Sequence, residues 1–372
     1  MLTRHALAIA LLGVVVAVAQ GQRLKRGSSK RLPTQEEADC PYGCRCNQTT
    51  VTCRNRGLGK DVFEDIHSRG FPHLDTIEIV GNRFGDISES LFDDQDDHNS
   101  VTIVNLTDNK ITKIGKNTFN GVRNVEWLYL DNNDIKSVGT QPFAKLANLR
   151  GIHLKAAFGD ISAAAKADLL ALFFDHPRRG WNELQEIDLS NNGLEIINPN
   201  TFCKVPSLVR LILDGNNLKK FEVAPKCLQG LRQLVLRGNK LETVPATLYD
   251  MLPSLNAVDV SKNPLVCDCA LMPFLKIARE DPNNFLNQGQ TVCELPSNYR
   301  GQHIFDAKAD LCESSSSFWP HFLILLAIGG AGLFVYSRFR SRLPTPLPFQ
   351  FGYQNLNQQS VLTEERVEPE FV

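Results

Sequence analysis

The sequence has no excess of either charge: 40 Lys and Arg stand against 41 Asp and Glu. Nothing in that balance points to a nucleic-acid partner. Catalytic signatures are missing too, with no G-x-S-x-G, no P-loop and no H-E-x-x-H. The histidines beyond the N-terminal apolar run (His67, His73, His98, His153, His176, His303 and His321) share no local metal-ligand spacing. Distant residues do converge in folded chains, so these absences argue against an enzyme on motif alone. The expectation is a non-catalytic protein with no cofactor and no bound metal.

What is present is repetition. From Leu74 to Leu265 an eleven-residue phrase, L-x-x-L-x-L-x-x-N-x-L with Ile or Val at the Leu places, recurs eight times, mostly 24 residues apart. Its copies start at Leu74, Val101, Val125, Leu149, Leu184, Leu208, Leu231 and Leu255. The ninth place is Asn82, Asn109, Asn133, Asn192, Asn216, Asn239 and Asn263, but Ala157 in the copy from Leu149. The fourth and sixth places alternate with polar neighbours, the period of a half-buried strand. One coil cannot bury its apolar residues, whereas stacked coils share a continuous core. An Asn amide carries donors and an acceptor for the backbone groups that each turn leaves unpaired.

This phrase resembles the leucine-rich repeat family, and the resemblance covers Cys40 to Cys312. It implies an α/β-type solenoid, a horseshoe with a parallel concave β-sheet and an asparagine ladder. Cys40, Cys44, Cys46 and Cys53 look like the N-terminal cap of extracellular members, which implies Cys40–Cys46 and Cys44–Cys53. Cys267, Cys269, Cys293 and Cys312 resemble the C-terminal cap, implying Cys267–Cys293 and Cys269–Cys312. A Trp usual after the Phe274-Leu275 segment is missing, which puts the local packing in question. Zinc is the rival reading of closely spaced thiols, and an exported chain weighs against it.

Three features within the repeats need separate accounts. Cys203 and Cys227 each lie eleven residues after their Asn, one phase on consecutive coils. Coils about 5 Å apart fall within the roughly 4.4–6.8 Å Cα separation that a disulfide accepts, so these two are expected to pair. The long coil from Leu149 contains a helix over Ser162 to His176, capped by Ser162 and ended by Pro177, expected to cover the side where the Asn is missing. The acidic stretch Asp93-Asp94-Gln95-Asp96-Asp97-His98 lacks the alternation and Gly of a calcium loop and reads as a solvated loop.

The flanks suggest export. Arg4 precedes an apolar run, Ala6 to Ala19, ending in a small-x-small pattern: residues 1–19 read as a signal peptide cut before Gln20. The linker 20–39 holds Arg23-Leu24-Lys25-Arg26, similar to proprotein-convertase sites, with Arg26 the processing residue; such tetrads also arise by chance. The cap occupies 40–73, the repeats 74–262, the second cap 263–312 and a linker 313–317. Phe318 to Tyr336 contains no Asp, Glu, Lys or Arg, and as a helix it would span about 28 Å, close to the hydrocarbon thickness. Arg338, Arg340 and Arg342 follow, placing the tail 337–372 in the cytoplasm. The expectation is one transmembrane helix, type I at the plasma membrane with the repeats extracellular. A lipid-anchor signal would end the chain, and here more than thirty residues follow Tyr336. In the tail, Tyr353 to Leu356 is similar to Y-x-x-Φ sorting signals. Glu370-Phe371-Val372 resembles a PDZ ligand. A cytoplasmic adaptor or PDZ protein is the partner these imply.

Outward-pointing residues follow from the phase, since they flank the fourth and sixth places. Trp127 and Tyr129, with Ile103 on one side and His153 and Lys155 on the other, form an aromatic cluster of the type that dominates interface energy. A second spot joins Ile212 and Val235 to Arg210 and Arg237. Asn47 and Asn105 head glycosylation sequons; Asn105 falls on the concave face beside the aromatic cluster, so a glycan there would obstruct access. These readings imply a cell-surface protein-binding molecule for an extracellular protein ligand, an adhesion molecule or co-receptor. The alternatives are an auxiliary subunit modulating a membrane channel through its span, and a shed matrix protein.

Overall fold

The computed structural model describes residues 40–92, 97–175 and 181–306, with single positions at 328–329, 331–332, 334–335 and 338. Two compact units divide the chain, Met1–Cys312 and Glu313–Val372. In the first, one strand from each coil enters a ten-stranded sheet. Arg45–Cys46 runs antiparallel to Thr50–Arg54. Every later strand is parallel to its neighbour: Thr76–Val80, Ile103–Asn105, Trp127–Tyr129, Gly151–His153, Glu186–Asp188, Arg210–Ile212, Gln233–Val235 and Ala257–Asp259. Register follows the sequence phase. Thr76, Ile103, Trp127, Gly151, Glu186, Arg210, Gln233 and Ala257 lie in one row across the sheet.

Behind the sheet lies the core. Leu106, Leu130, Leu189 and Leu213 are fully buried, as are Val104, Leu128, Ile187 and Leu211 in the strands themselves. Each such side chain contributes about 1.5–3 kcal/mol relative to exposure. The contribution is shared, since each coil's apolar edge is covered only by the next coil.

The asparagines hold the turns between coils. Asn133 is typical: its Nδ2 donates to the carbonyls of Leu106 (3.1 Å) and Leu130 (2.7 Å), and its Oδ1 accepts from the amides of Asn109 (3.0 Å) and Ile111 (2.9 Å). The residue just before each rung has positive φ, whether Gly215 and Gly238 or Asp108, Asn132, Asn191 and Lys262. That left-handed residue turns the chain sharply enough to bring the amide under the strand. At Ala157, where the rung is missing, the Ile135 amide donates instead to the Ala157 carbonyl at 2.9 Å.

Helix α1, Ala163–Phe174, follows that altered turn, and the Ser162 hydroxyl accepts from the Ala165 amide at 3.2 Å. Phe173 stacks on Phe143 (5.3 Å) and Phe158 (5.8 Å), so the helix fills the space beside the missing rung with rings. The expected end at Pro177 falls among residues 176–180, outside those described. Of the acidic stretch, 93–96 is also outside. His98 departs from the solvated-loop expectation: it is buried against Phe92, and its backbone amide donates to the Gly121 carbonyl at 2.7 Å.

Both ends are closed. Cys40 pairs with Cys46 and Cys44 with Cys53; Cys203 pairs with Cys227 on the next coil and Cys267 with Cys293. Cys269 is disulfide-bonded as well, and its expected partner Cys312 lies outside the described residues. In the second cap, helix α2 (Met272–Glu280) buries Phe274 and Leu275. Phe285 meets Phe274 edge-on at 5.5 Å and Phe305 at 5.6 Å. The segment around Phe285–Thr291 covers the last strand: Leu286 N donates to the Val258 carbonyl, and Asn287 Nδ2 to Asp259 Oδ2 at 2.6 Å.

In the second unit, Ile328, Gly329, Ala331, Gly332, Phe334, Val335 and Arg338 are helical. Among the described residues no helix is long and apolar enough to cross a membrane. Most of the expected span 318–336 lies outside them, as do the signal peptide, the Arg26 site and the tail motifs at Tyr353, Leu356, Glu370 and Val372.

Candidate functional site: the outer face of the parallel sheet

Trp127 and Tyr129 point away from the core on either side of buried Leu128. The next strand shapes what they do. Gly151 stands opposite Trp127, and a Cβ at that position would overlap Cζ3 and Cε3 of the indole. The missing side chain is the seat that lets the ring lean over the neighbouring strand. Two residues on, His153 stacks on Tyr129 at 4.6 Å and 27°, with the Trp127 ring 6.2 Å away. Ile103 pairs with Trp127 from the other side. Four of the five residues expected to cluster, Ile103, Trp127, Tyr129 and His153, therefore share one area of the face. Gly151, read from sequence only as another outward position, is the residue that permits it.

Carboxylates complete the area. Glu186 Oε1 is 3.7 Å from His153 Nε2, and Asp188 Oδ2 is 4.0 Å from His153 Nδ1. Both separations exceed a hydrogen bond. Glu186 Oε2 lies 3.6 Å from Arg210 Nη1. Asp131 Oδ1 accepts from the Lys155 amide at 2.7 Å. Burial pushes the Asp131 carboxyl up, opposed by that amide and by the charges of His153 and Lys155. Burial and then Asp188 push Asp214 up, while Lys155 and Arg237 oppose them. Tyr129 is raised by burial and by Glu186 and Asp131.

The two spots read from the sequence are thus one patch. Arg210 turns to Glu186, joining the second spot to the first. Ile212 and Val235 are register partners, and Arg237 Nη2 donates to Gln290 Oε1 of the C-terminal cap at 3.3 Å. The same cap buries Asp259 and ends the open face. The carboxylates fall at outward positions of the repeat phase, but phase says which face a residue occupies, not which neighbour its side chain selects. Of the sequons, Asn47 is exposed at a hairpin turn, with Oδ1 accepting from the amides of Thr49 and Thr50. Asn105 lies half-buried on the sheet between Glu78 and Tyr129, and its Oδ1 accepts from Thr107 N at 3.0 Å.

Comparison with known proteins agrees with this architecture. A family model described as leucine rich repeat matches residues 99–156 and 173–218. The fold is a leucine-rich repeat-like solenoid with a parallel sheet and disulfide caps. Fibromodulin of Mus musculus is 30% identical over 239 residues, 63% of this chain and 56% of that protein. Leucine-rich repeat transmembrane protein FLRT2 of Rattus norvegicus is 24% identical over 354 residues, 76% of this chain and 51% of the relative. The chain therefore spans little more than half the length of these curated relatives. The crystal structure of human 5T4 (Wnt-activated inhibitory factor 1, trophoblast glycoprotein) superposes with a TM-score of 0.64 at 19% identity, over 74% of this chain and 99% of that one. That likeness is one of fold.

Proposed function

We propose that this is a non-enzymatic cell-surface protein that binds an extracellular protein ligand, as an adhesion molecule or co-receptor. The observation that carries the reading is the Trp127–Tyr129–His153 cluster on an open parallel sheet. Large aromatic side chains held in place by their neighbours lose little freedom on binding and are the type that anchors interfaces. Residues 318–336 serve as the membrane anchor in this reading. FLRT2 is named as a transmembrane protein, which supports it, and so do the helical positions inside that stretch.

The test is a screen of extracellular proteins against cells displaying the full chain. A ligand lost with W127A, Y129A and K155A supports the reading. A ligand retained by all three, yet lost when 318–336 is exchanged for another span, moves the activity to the membrane helix and favours the auxiliary-subunit role. A glycan at Asn105 would block approach from the N-terminal coils, so peptide mapping of its occupancy decides whether the ligand uses Ile103 or docks only from Trp127 onward.

A further inference from the structure

The face is not electrically even. Arg210 is engaged with Glu186, and Arg237 with Gln290 in the C-terminal cap. Asp131, Asp188 and Asp214, each on a different strand or just past it, have Lys155 and His153 between them, with the charge of Arg237 acting on Asp214 alone. They are close enough that Asp188 repels both of the others. Asp188 already commits Oδ1 to the amide and hydroxyl of Ser190, at 2.8 and 2.6 Å. Three carboxylates share one long flexible ammonium, one imidazole and, at Asp214, the guanidinium of Arg237, beside an indole and a phenol.

We propose that this face receives an extended protein segment presenting an arginine next to an apolar residue. The guanidinium sits among Asp131, Asp188 and Asp214, and the apolar neighbour lies against Trp127 and Ile103. This rests on the reading of the sheet as a protein-binding face and adds the chemistry of the occupant. Arginine fits better than lysine because its planar fork pairs with carboxylates and also stacks on aromatic rings. Charge complementarity also argues against an anionic glycan, since Arg210 already pairs with Glu186 and Lys155 and Arg237 stand among carboxylates. Partial burial of Asp131 and Asp214 penalises their charged forms, so an incoming cation relieves a cost that exists in the free protein. Their protonation at low pH would remove the attraction.

The experiment uses the full chain in nonionic detergent and a short fluorescein-labelled peptide of alternating arginine and valine. Lysine–valine and glutamate–valine versions and a sulfated oligosaccharide serve as comparison probes. Anisotropy should show the arginine peptide binding best, the glutamate peptide not at all, and affinity falling as pH drops through the carboxylate range. The triple variant D131N/D188N/D214N and, separately, W127A should each weaken the arginine peptide about tenfold or more. D160N and E195Q, exposed and off this face, should leave it unchanged. Thermal midpoints near wild type for the Asn variants separate lost binding from lost folding.

Unchanged affinity in the folded triple variant overturns the proposal. So does preferential binding of the glutamate peptide or of the sulfated oligosaccharide. A natural ligand from the cell-surface screen that W127A abolishes and the triple variant retains sinks this inference alone. A ligand indifferent to both sinks the reading beneath it as well.

Discussion

Gly151 shows how much one missing methyl group decides. Trp127 occupies the space its Cβ would need, so any larger residue must push the indole off the strand. In G151V the backbone conformation suits a β-branched residue, so the fold should persist while the ring swings toward water. The expected outcome is a red-shifted tryptophan emission and at least about tenfold weaker ligand binding. Trp181, which is buried, and Trp319 are unchanged by the substitution and provide a constant background. An unshifted spectrum would remove the seat from the account. Asp214 makes a second case. Its folded carboxyl is raised above the ordinary 3.8, so its contribution to stability is fully present below 3.8 and lost as pH rises through the folded value. D214N should therefore stabilise the fold at neutral pH, by less than about 1 kcal/mol for a partly exposed group. The gain, read as a raised thermal midpoint, should vanish in acid; a destabilised variant at pH 7 would contradict the sign. Position-by-position phase made the row from Thr76 to Ala257 legible in the sequence. The Arg210–Glu186 contact was not, because rotamer choice depends on neighbours that one strand does not contain.

Stacked turns repeat the same exchange of hydrogen bonds, and the asparagine is its hub. Asn192 accepts from the amides of Ala157 (2.9 Å) and Phe158 (3.0 Å) and donates to the carbonyls of Leu154 and Leu189. It sits beside the coil that lacks a rung, so no neighbouring Asn shares its work there. Replacing it by Ala strands several buried groups, each costing about 1–3 kcal/mol. N192A should lower stability more than removing an exposed Asn such as Asn217, measured by denaturant unfolding; equal losses would deny the ladder its role. Cys203–Cys227 links two adjacent coils across a separation of 24 residues. C203S/C227S should cost about 3 kcal/mol by the loop-entropy argument, and more in unfolding free energy than in ligand affinity, since the bridge lies away from the sheet face. Spacing alone exposed both features, because a solenoid converts sequence period into spatial neighbourhood. It could not show that Phe158 and Phe173 replace the missing amide by ring packing, nor that His98 is buried. Those depend on how an insertion folds back, which no period encodes.

At the scale of the molecule, a stack of coils has two ends, and each must be covered or its leucines meet water. Here the N-terminal disulfide hairpin adds the antiparallel first strand, and the segment around Phe285 covers the last. The apolar stretch beyond Cys312 falls in the second unit and calls for its own explanation. Ile328, Phe334 and Val335 are helical and 64%, 65% and 54% exposed. In water that clustering is costly, whereas in hydrocarbon a helix satisfies its own backbone and such side chains are at home. In the proposed reading, the sequence positions Arg338, Arg340 and Arg342 would set the orientation with the tail in the cytoplasm. An epitope placed between Leu32 and Cys40 should stain intact cells, and one after Val372 only permeabilised cells. Replacing 318–336 by a Gly–Ser sequence should release the repeats, still able to bind ligand, into the medium. Staining of the C-terminal epitope on intact cells would reverse the orientation. Retention of the Gly–Ser variant at the surface would mean that something other than this stretch holds the solenoid there.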